Sequence, residues 1–435
     1  MLIPLHAAIT PTCGPKAATL STLLNAGLPV PNAVIVPTTA LPPVATAPPL
    51  PGSITPPPRP GTTTPPAPGS SACSLPEALV SELGAWLGSI GNPPVAVRSS
   101  ATNEDTATTS AAGQYDTFLG VQGLSAVTTA VRACWSSLWS PRATNYRTAF
   151  TNPPSDGESA VELGPELAMA VVVQELVDAE VSGVMFTPAD ATGSTLIEAS
   201  WGLGPSVVEG RLTPDSYKVT ADGSVIATIA DKPTALYRSG SEVLAKDIPT
   251  ERRRTPTLTT ETATHLAALG NQVSQLLGGP QDIEWAIADN KLWLLQSRPI
   301  TTPPPSTTPI SSTAPIPAAP SPSGASRVPV PATLTGVPAS RGTAVGPARV
   351  VRGPQDFADV RPGDILVCRC TDPAWTPLLT IVAGVITEVG GVLSHAAIVA
   401  RERGIPAIVS VPEATTRIRT GTPLTLDATT GAVHL

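Results

Sequence analysis

His395 is the residue of this sequence with the clearest potential for covalent chemistry. It follows Ser394 in a segment that opens with Gly390 and Gly391. We expect a strand over residues 382–387, then a glycine turn, then a helix whose N-terminus carries the serine and the histidine. Backbone N–H groups and the helix dipole favour an anion there, and imidazole is a nucleophile near neutral pH. The pattern indicates a histidine that accepts a phosphoryl group, although a lone histidine after glycines more often has a structural role.

The residues around this histidine extend the interpretation. The order Gly-Gly-x-x-Ser-His-x-Ala-x-x-x-Arg-Glu in residues 390–402 resembles the swivelling phosphohistidine domain of the phosphoenolpyruvate synthase and pyruvate, phosphate dikinase superfamily. Residues 371–377 resemble the family segment that faces the histidine. The other histidines, His6, His265 and His434, lie in the start segment, on a predicted helix and beside the last residue. The resemblance therefore singles out one histidine of four.

The N-terminal half resembles the ATP-binding domain of the same superfamily. After a predicted strand, Arg98 occupies the position of an arginine that contacts ATP phosphates, and a guanidinium can donate two parallel hydrogen bonds to such oxygens. Residues 110–114, including Gly113, resemble a small-residue loop that closes over the phosphates, since small residues permit close backbone approach. Lys16 matches the lysine of a Gly-Gly-Lys motif that reaches the phosphates, but Pro15 replaces the second glycine. Proline has no N–H and cannot take a positive φ, so we expect this loop to differ.

Two further segments, residues 280–285 and 295–299, resemble a pair of adjacent family strands. Glu284 and Gln296 correspond to the oxygens that coordinate magnesium, and Arg298 corresponds to a second phosphate contact. Magnesium favours oxygen ligands and bridges one or two protein groups to substrate phosphates. Without the resemblance, a solvated carboxylate and an edge glutamine would explain the same residues.

The elements that position these residues can be predicted from periodicity. We expect strands over residues 95–97, 168–174, 182–186 and 291–296, and helices over 125–146 and 260–277. Gln174, Glu175 and Leu176 come at the end of the second strand, where the family places its adenine-contacting hinge. The mixture of helices and strands indicates a multidomain protein of the α/β and α+β classes. The resemblance implies an ATP-grasp-like nucleotide-binding domain and a small swivelling phosphohistidine β/α domain.

Two proline-rich stretches divide the chain. Neither has hydrophobic periodicity, so neither can bury enough surface to offset its ordering entropy. We expect an ATP-binding domain over residues 1–300 with an insertion at 37–70, a Pro/Ser/Thr-rich linker over 301–332, and a phosphohistidine domain over 333–435. At about 3.1 Å per residue, an extended linker of this length would reach on the order of 100 Å, enough for the histidine to visit two sites.

Composition excludes several classes of protein. The net charge of -7, with 26 Lys+Arg against 33 Asp+Glu, disfavours nucleic acid or an anionic membrane as partner. Five cysteines without C-x-x-C spacing argue against a disulfide scaffold and a zinc site. The N-terminus lacks the basic region of a secretory signal, and no uncharged apolar run reaches the roughly 18 residues that a bilayer requires. We therefore expect a cytoplasmic protein.

The resemblance implies an enzyme, a dikinase-type phosphotransferase with ATP as substrate and Mg²⁺ as cofactor. Arg98, Arg298 and His395 would be catalytic, AMP and phosphate would be released, and the β-phosphoryl group would stay on the histidine. It would then pass to pyruvate, to another small molecule, or to a separate protein that carries the acceptor domain. Related dikinases carry a barrel for this purpose, and rifampicin phosphotransferases a helical domain. This sequence contains neither, so we expect an ATP half-reaction module.

Two alternatives stay open at the level of sequence. The chain could be a phosphocarrier or regulatory protein that phosphorylates itself and signals through a partner. It could also be a decayed relative that keeps the fold without catalysis. A complete set of site residues argues against decay: Arg98, Glu284, Gln296, Arg298 and His395.

Overall fold

The computed structural model of the chain describes residues 1–41, 75–105, 113–140, 142–144, 167–190, 192–305 and 333–435. Most of the predicted insertion, most of the predicted linker and residues 110–112 of the predicted phosphate loop lie outside this part. The chain divides into two compact units. The first comprises Met1–Thr301, Asp372–Pro377 and Leu393–His395, and the second comprises Thr302–Thr371, Leu378–Val392 and Ala396–Leu435.

The α-helices of the described residues are numbered in chain order. They are α1 (Thr10–Asn25), α2 (Glu77–Ser89), α3 (Leu124–Ser137), α4 (Pro205–Val208), α5 (Thr250–Arg253), α6 (Thr260–Leu277), α7 (His395–Arg403) and α8 (Ala414–Arg417). Short 3₁₀ helices span Leu5–Ala7, Thr38–Ala40, Pro354–Asp359, Pro373–Trp375 and Leu378–Thr380. None of the helices in the described ranges combines the length and apolar character needed to cross a bilayer.

The strands are likewise numbered in chain order. In the first unit they are β1 (Ile3–Pro4), β2 (Ala33–Val36), β3 (Val95–Ala101), β4 (Thr117–Val121), β5 (Met169–Glu175), β6 (Val181–Phe186), β7 (Thr195–Trp201), β8 (Asp215–Val219), β9 (Val225–Thr228), β10 (Thr234–Ser239), β11 (Glu242–Asp247), β12 (Gln281–Ala288) and β13 (Lys291–Pro299). In the second unit they are β14 (Thr333–Thr335), β15 (Val337–Ser340), β16 (Thr343–Val351), β17 (Ile365–Cys368), β18 (Gly384–Thr387), β19 (Ala407–Val409), β20 (Pro423–Asp427) and β21 (Ala432–His434).

The first unit is built on two antiparallel sheets and a hairpin. One sheet has the order β1-β2-β5-β3-β4, the other the order β13-β12-β6-β7-β8-β9, and β10 pairs with β11. All the strand pairs within these sheets are antiparallel. The described part of this unit therefore belongs to the α+β class, one of the two classes that the sequence indicated.

Strand β5 shows why the five-stranded sheet is buried on both faces. Ala170 and Val172 pack into one hydrophobic cluster with α1 and α6, whereas Val171 and Val173 pack into a second cluster with α2 and α3. Successive side chains of a strand point to opposite faces, so a run of apolar residues fits a sheet that is covered on both sides. This burial fixes the positions of β3 and β5, the two strands that lead to the site.

The second unit contains an eight-stranded sheet of order β14-β21-β20-β16-β17-β18-β19-β15. Its central strands β16, β17, β18 and β19 are parallel neighbours, and the flanking pairs are antiparallel. Both types of pairing occur here, and the parallel core fits the β/α domain that the resemblance implied. Only one of its eight strands was predicted with bounds, at residues 382–387, and in the structure it spans Gly384–Thr387. Several of the other strands are only three or four residues long.

Two predicted helices illustrate how far local signals reach. Helix α6 has the predicted bounds, because Thr259 accepts a hydrogen bond from the N–H of Thr262 at its start and Gly278 takes a φ of 78° at its end. The helix predicted over residues 125–146 instead ends at Ser137. Residues 142–144 form a separate helical stretch, so the continuous helix was wrong.

A fully buried ion pair lies in the first unit, away from the predicted site residues. Nζ of Lys232 lies 2.6 Å from Oδ1 of Asp215, and both side chains are 0% exposed. Asp215 also accepts hydrogen bonds from the N–H of Ala230 and from the N–H and hydroxyl of Thr257, each at 2.9 Å. The aspartate therefore ties β8 to two separate loops.

Replacing Asp215 with asparagine should lower the free energy of unfolding of this unit by about 3–5 kcal/mol, because the ammonium of Lys232 would stay buried without its counter-charge. Urea denaturation followed by tryptophan fluorescence measures the change. The matched control is Asp231→Asn, which breaks a half-exposed pair with Arg253 and should cost about 1 kcal/mol or less. Equal losses in the two variants would show that the buried pair has no special weight.

Candidate functional site

Arg98 connects the two sheets of the first unit. It lies on β3 of the five-stranded sheet, but its guanidinium reaches the last two strands of the six-stranded sheet. Nη1 donates to the carbonyl oxygen of Leu295 at 2.9 Å. Nη2 donates to Oε2 of Glu284 at 2.7 Å and to Oε1 of Gln296 at 3.1 Å. Three residues predicted to bind phosphate or magnesium therefore meet at one point.

Glu284 and Gln296 lie directly opposite each other on the antiparallel strands β12 and β13. A register shift between Glu284 and Trp285 interrupts the pairing immediately beyond this pair, and such bulges re-aim side chains. Burial alone would raise the pKa of Glu284, but the neighbouring charge and hydrogen bond of Arg98 outweigh it and hold that pKa below its usual range. The site thus offers an ionised carboxylate beside an amide oxygen.

These two side chains fit magnesium by the chemistry of their donor atoms. Both present oxygen, which Mg²⁺ prefers, and Mg²⁺ takes its remaining ligands from water and substrate phosphates. Within the described ranges, no group of three or more His, Cys, Asp or Glu side chains could hold a metal ion by itself.

Arg298 lies two register pairs further along the same two strands. Its register partner is Asp282, whose Oδ2 lies 2.8 Å from Nε and 2.7 Å from Nη2 of the arginine. Asp282 was not identified from sequence. It stands two residues before Glu284 and therefore on the same face of β12, a period-two spacing that could have revealed it. The strand pair thus presents two carboxylates, one amide and one guanidinium on one face.

Lys16 reaches this cluster from helix α1. The helix kinks at Gly14, which has a φ of 73°, and a side chain there would clash with the carbonyl oxygen of Ser100. Pro15 follows in helical conformation, which it tolerates because a first-turn N–H needs no helical acceptor. The substitution of the second glycine is thereby accommodated. Nζ of Lys16 donates to the carbonyl oxygen of Ser99 at 3.0 Å and to Oε1 of Glu104 at 2.7 Å.

Glu104 and Asp105 are site residues that the sequence analysis did not identify. Both are buried, and Asp105 lies 4.0 Å from Nζ of Lys16 and 3.7 Å from Nη1 of Arg298. Burial raises the pKa of Asp105 to about 6, although the positive charge of Lys16 opposes the shift. Acidic residues after a strand are typical of solvated turns, so only their position close in sequence to Arg98, the arginine predicted to contact phosphates, could have marked them.

Gln174, Glu175 and Leu176 lie where β5 ends. The sequence placed the end of the strand at Gln174, but β5 extends to Glu175 because Glu175 pairs with Val95 of β3. The chain leaves the five-stranded sheet at Leu176 and then enters β6 of the six-stranded sheet. The predicted hinge segment is therefore the crossover between the two sheets that Arg98 connects.

Gly113 is the first described residue after the gap in the predicted phosphate loop. Its φ of 65° lies in the left-handed region, which favours glycine. The next residue, Gln114, is buried. The remaining small residues of the loop, 110–112, lie outside the described part, so the contacts of this segment with a nucleotide stay a prediction.

His395 is the first residue of α7, as the glycine turn predicted, and it is 3% exposed. Near the other end of the helix, Arg401 donates to the carbonyl oxygen of Val392 at 2.7 Å, which fixes the loop before the histidine. Burial lowers the pKa of His395 to about 3, and the positive charges of Arg298 and Arg142 act in the same direction. The imidazole is therefore neutral at physiological pH, which is its nucleophilic form.

Two known protein families match this chain. The family described as pyruvate phosphate dikinase, AMP/ATP-binding domain, matches residues 71–314, and the family described as PEP-utilising enzyme, mobile domain, matches residues 360–431. The first match covers strands β3, β12 and β13, and the second covers helix α7, which begins at His395.

Curated relatives carry the names of synthases. A probable phosphoenolpyruvate synthase of Methanothermobacter thermautotrophicus is 38% identical over 344 residues, which are 78% of this chain and 47% of the relative. The phosphoenolpyruvate synthase of Pyrococcus furiosus is 38% identical over 354 residues, 78% of this chain and 41% of the relative. That of Escherichia coli is 33% identical over 372 residues, 78% and 43% respectively. The chain thus spans less than half the length of these relatives.

Proposed function

Because the chain belongs to the pyruvate phosphate dikinase AMP/ATP-binding family and also matches the PEP-utilising mobile domain, we propose that it is an ATP-dependent, dikinase-type phosphotransferase that phosphorylates its own His395. In this proposal residues 1–300 form the nucleotide-binding domain, with an ATP-grasp-like fold. Residues 301–332 are the linker, and residues 333–435 carry the histidine.

The observation that carries the proposal is the convergence of separate chain segments on one group of side chains. We call this group the nucleotide cluster: Lys16, Arg98, Glu104, Asp105, Asp282, Glu284, Gln296 and Arg298. Lys16 comes from α1, Arg98 from β3, and Arg298 from β13, and each guanidinium or ammonium is held by a carboxylate within hydrogen-bond distance. Cations fixed in advance stabilise a polyphosphate in its reactive geometry without reorganising during the reaction. Catalysis of phosphoryl transfer consists mostly of such positioning and charge neutralisation.

We assign the metal ion, the adenine and the loop that approaches the phosphates to residues of the same unit. Glu284 and Gln296 would hold Mg²⁺, which supplies positive charge to the phosphate oxygens when bound. Gln174, Glu175 and Leu176 would contact the adenine, since they lie where the chain crosses between the sheets joined by Arg98. Gly113 would allow a loop backbone to approach the phosphates.

His395 is the proposed nucleophile. Its neutral ring attacks the β-phosphorus of ATP in line and displaces AMP. Water then hydrolyses the β–γ bond and phosphate leaves, so that the β-phosphoryl group stays on the imidazole. The group then passes to pyruvate or another small molecule bound elsewhere. The relatives are more than twice as long as the matched region. We therefore propose that the acceptor binds to a domain outside the segments described above.

Labelled nucleotides test the proposal. Incubated with Mg²⁺ and ATP labelled at the β position, the full chain should acquire one acid-labile label per molecule and release AMP. ATP labelled at the γ position should leave no label on the protein and should release labelled phosphate. Label from the γ position would identify an ordinary γ-phosphoryl kinase instead, and no label from either position would contradict the proposed function.

A further inference from the structure

Lys16 does not stand alone in the cluster, because a buried carboxylate holds its ammonium. Glu104, which is 5% exposed, follows β3 and turns back onto that strand. We propose that Glu104 is a positioning residue that sets the place of Lys16 for phosphoryl transfer. This inference rests on the proposed function and adds to it a residue that none of the sequence motifs assigned a role.

Both oxygens of the Glu104 carboxylate are fixed. Oε1 accepts from Nζ of Lys16 at 2.7 Å and from the hydroxyl of Ser99 at 3.3 Å. Oε2 accepts from the N–H of Ala101 at 3.2 Å. Two of these three donors belong to β3, the strand that carries Arg98. The carboxylate is therefore anchored to the same rigid element as the neighbouring phosphate-binding guanidinium.

The start of α1 after its kink is docked onto the end of β3 by independent contacts. The N–H of Ala17 donates to the hydroxyl of Ser100 at 3.2 Å. Gly14 approaches Ser100 so closely that a side chain would clash. These contacts fix the backbone around the lysine. The direction of its four-carbon side chain is set by the two acceptors that meet Nζ, the carbonyl oxygen of Ser99 at 3.0 Å and Oε1 of Glu104 at 2.7 Å, and Glu104 is the charged one of the two.

This arrangement distinguishes a positioning role from two others. A purely structural ion pair would stabilise the fold without altering the reaction of folded molecules. A competing anion would occupy the ammonium at the expense of ATP, and its removal would tighten nucleotide binding. A positioning carboxylate has effects only through Lys16, because the lysine is the group that meets the phosphate. The three roles therefore predict different effects of replacing Glu104 on the rate of labelling, on the binding of ATP and on the coupling between Glu104 and Lys16.

A double-mutant cycle between Glu104 and Lys16 separates them. The variants are Glu104→Gln, which keeps shape and removes charge, Lys16→Met, and the two combined, with Glu104→Asp as the conservative replacement. For each full-length variant, the rate of labelling by β-labelled Mg-ATP and the dissociation constant of Mg-ATP are measured. Thermal unfolding is recorded in parallel, so that rates are expressed per folded molecule. The control is Asp231→Asn, which removes a carboxylate from an exposed pair of the same unit.

We expect Glu104→Gln to slow labelling by about 10- to 100-fold, in the range of coupling between contacting residues. Glu104→Asp should recover most of this rate, and the control should label as the wild type does. Once Lys16 is methionine, adding Glu104→Gln should change the rate by less than about twofold, since the two residues act as one unit. Independent, multiplicative effects would overturn the proposal, as would faster labelling or tighter ATP binding in Glu104→Gln. Unchanged labelling by folded Glu104→Gln would show a structural role only.

The double-mutant cycle also distinguishes failure of this inference from failure of the proposed function. If the wild type binds Mg-ATP but takes no label, the phosphotransfer proposal fails. The coupling between Glu104 and Lys16 is then read from the dissociation constants of the four proteins, where non-additivity is again the expected result. If Lys16→Met leaves ATP binding and labelling unchanged, Glu104 has no phosphate contact to position and the inference is wrong.

Discussion

Replacing His395 with alanine should abolish the acid-labile label that β-labelled ATP leaves on the chain. The imidazole is the proposed acceptor, and alanine offers no atom to which a phosphoryl group can bind. Removal of an essential nucleophile typically costs many orders of magnitude, so the expected residual label is zero within error. Quantitative autoradiography after a fixed incubation with Mg-ATP measures the effect.

The control for this variant is His265→Ala. His265 lies on the exposed side of α6, so its loss should leave both labelling and folding unchanged. Binding of Mg-ATP to His395→Ala should also persist, because the cations and oxygens of the nucleotide cluster come from other segments. Equal labelling of His395→Ala and wild type would refute the assignment of the acceptor, whichever residue then carried the label.

Replacing Arg98 with methionine should slow the labelling of His395 by about 100- to 1000-fold, the effect of removing one preorganised charge donor from a site of this kind. The loss has two physical sources. The guanidinium would no longer neutralise phosphate charge, and Glu284 and Gln296 would lose the donor that they share. Single-turnover labelling over a range of ATP concentrations separates the loss in rate from the loss in binding.

Arg253→Met provides the matched control for Arg98→Met. Arg253 also binds a carboxylate, with Nε 2.7 Å and Nη2 2.8 Å from the two oxygens of Asp231, but it is a third exposed and lies outside the nucleotide cluster. Its replacement should change the labelling rate by less than about twofold, the usual range for a surface position. Similar losses in both variants would mean that Arg98 acts through general stability.

Resemblance to the family identified Glu284, Gln296 and Arg298 in the sequence, and local spacing explains why these residues meet. Glu284 belongs to one strand, and Gln296 and Arg298, two residues apart, belong to the next, so each pair of partners shares one face once the strands form a hairpin. The structure adds the register, which places Glu284 opposite Gln296 and Asp282 opposite Arg298. The helix start at His395 was predictable for a similar reason, since the glycine turn and the helix are adjacent in sequence.

Long-range placement could not be predicted in this way. Arg98 and Glu284 are 186 residues apart and lie in different sheets, and hydrophobic periodicity specifies neither the order of strands nor which sheets meet. Glu104 was missed for a related reason. Its spacing fits a solvated turn, and only the folded chain shows that it turns back onto Lys16. Sequence resemblance supplied residue types, whereas the pairing of cations with carboxylates required coordinates.

That pairing has a consequence for which form of the nucleotide the cluster can accept. Three cations, Lys16, Arg98 and Arg298, meet four carboxylates: Glu104, Asp105, Asp282 and Glu284. Counted by formal charge, the carboxylates outnumber the cations by one. The cluster therefore has no surplus of positive charge with which to attract free, fully ionised ATP. A divalent ion that travels with the nucleotide would halve the charge of the tetra-anion, so we expect the cluster to bind the metal complex in preference to the bare nucleotide.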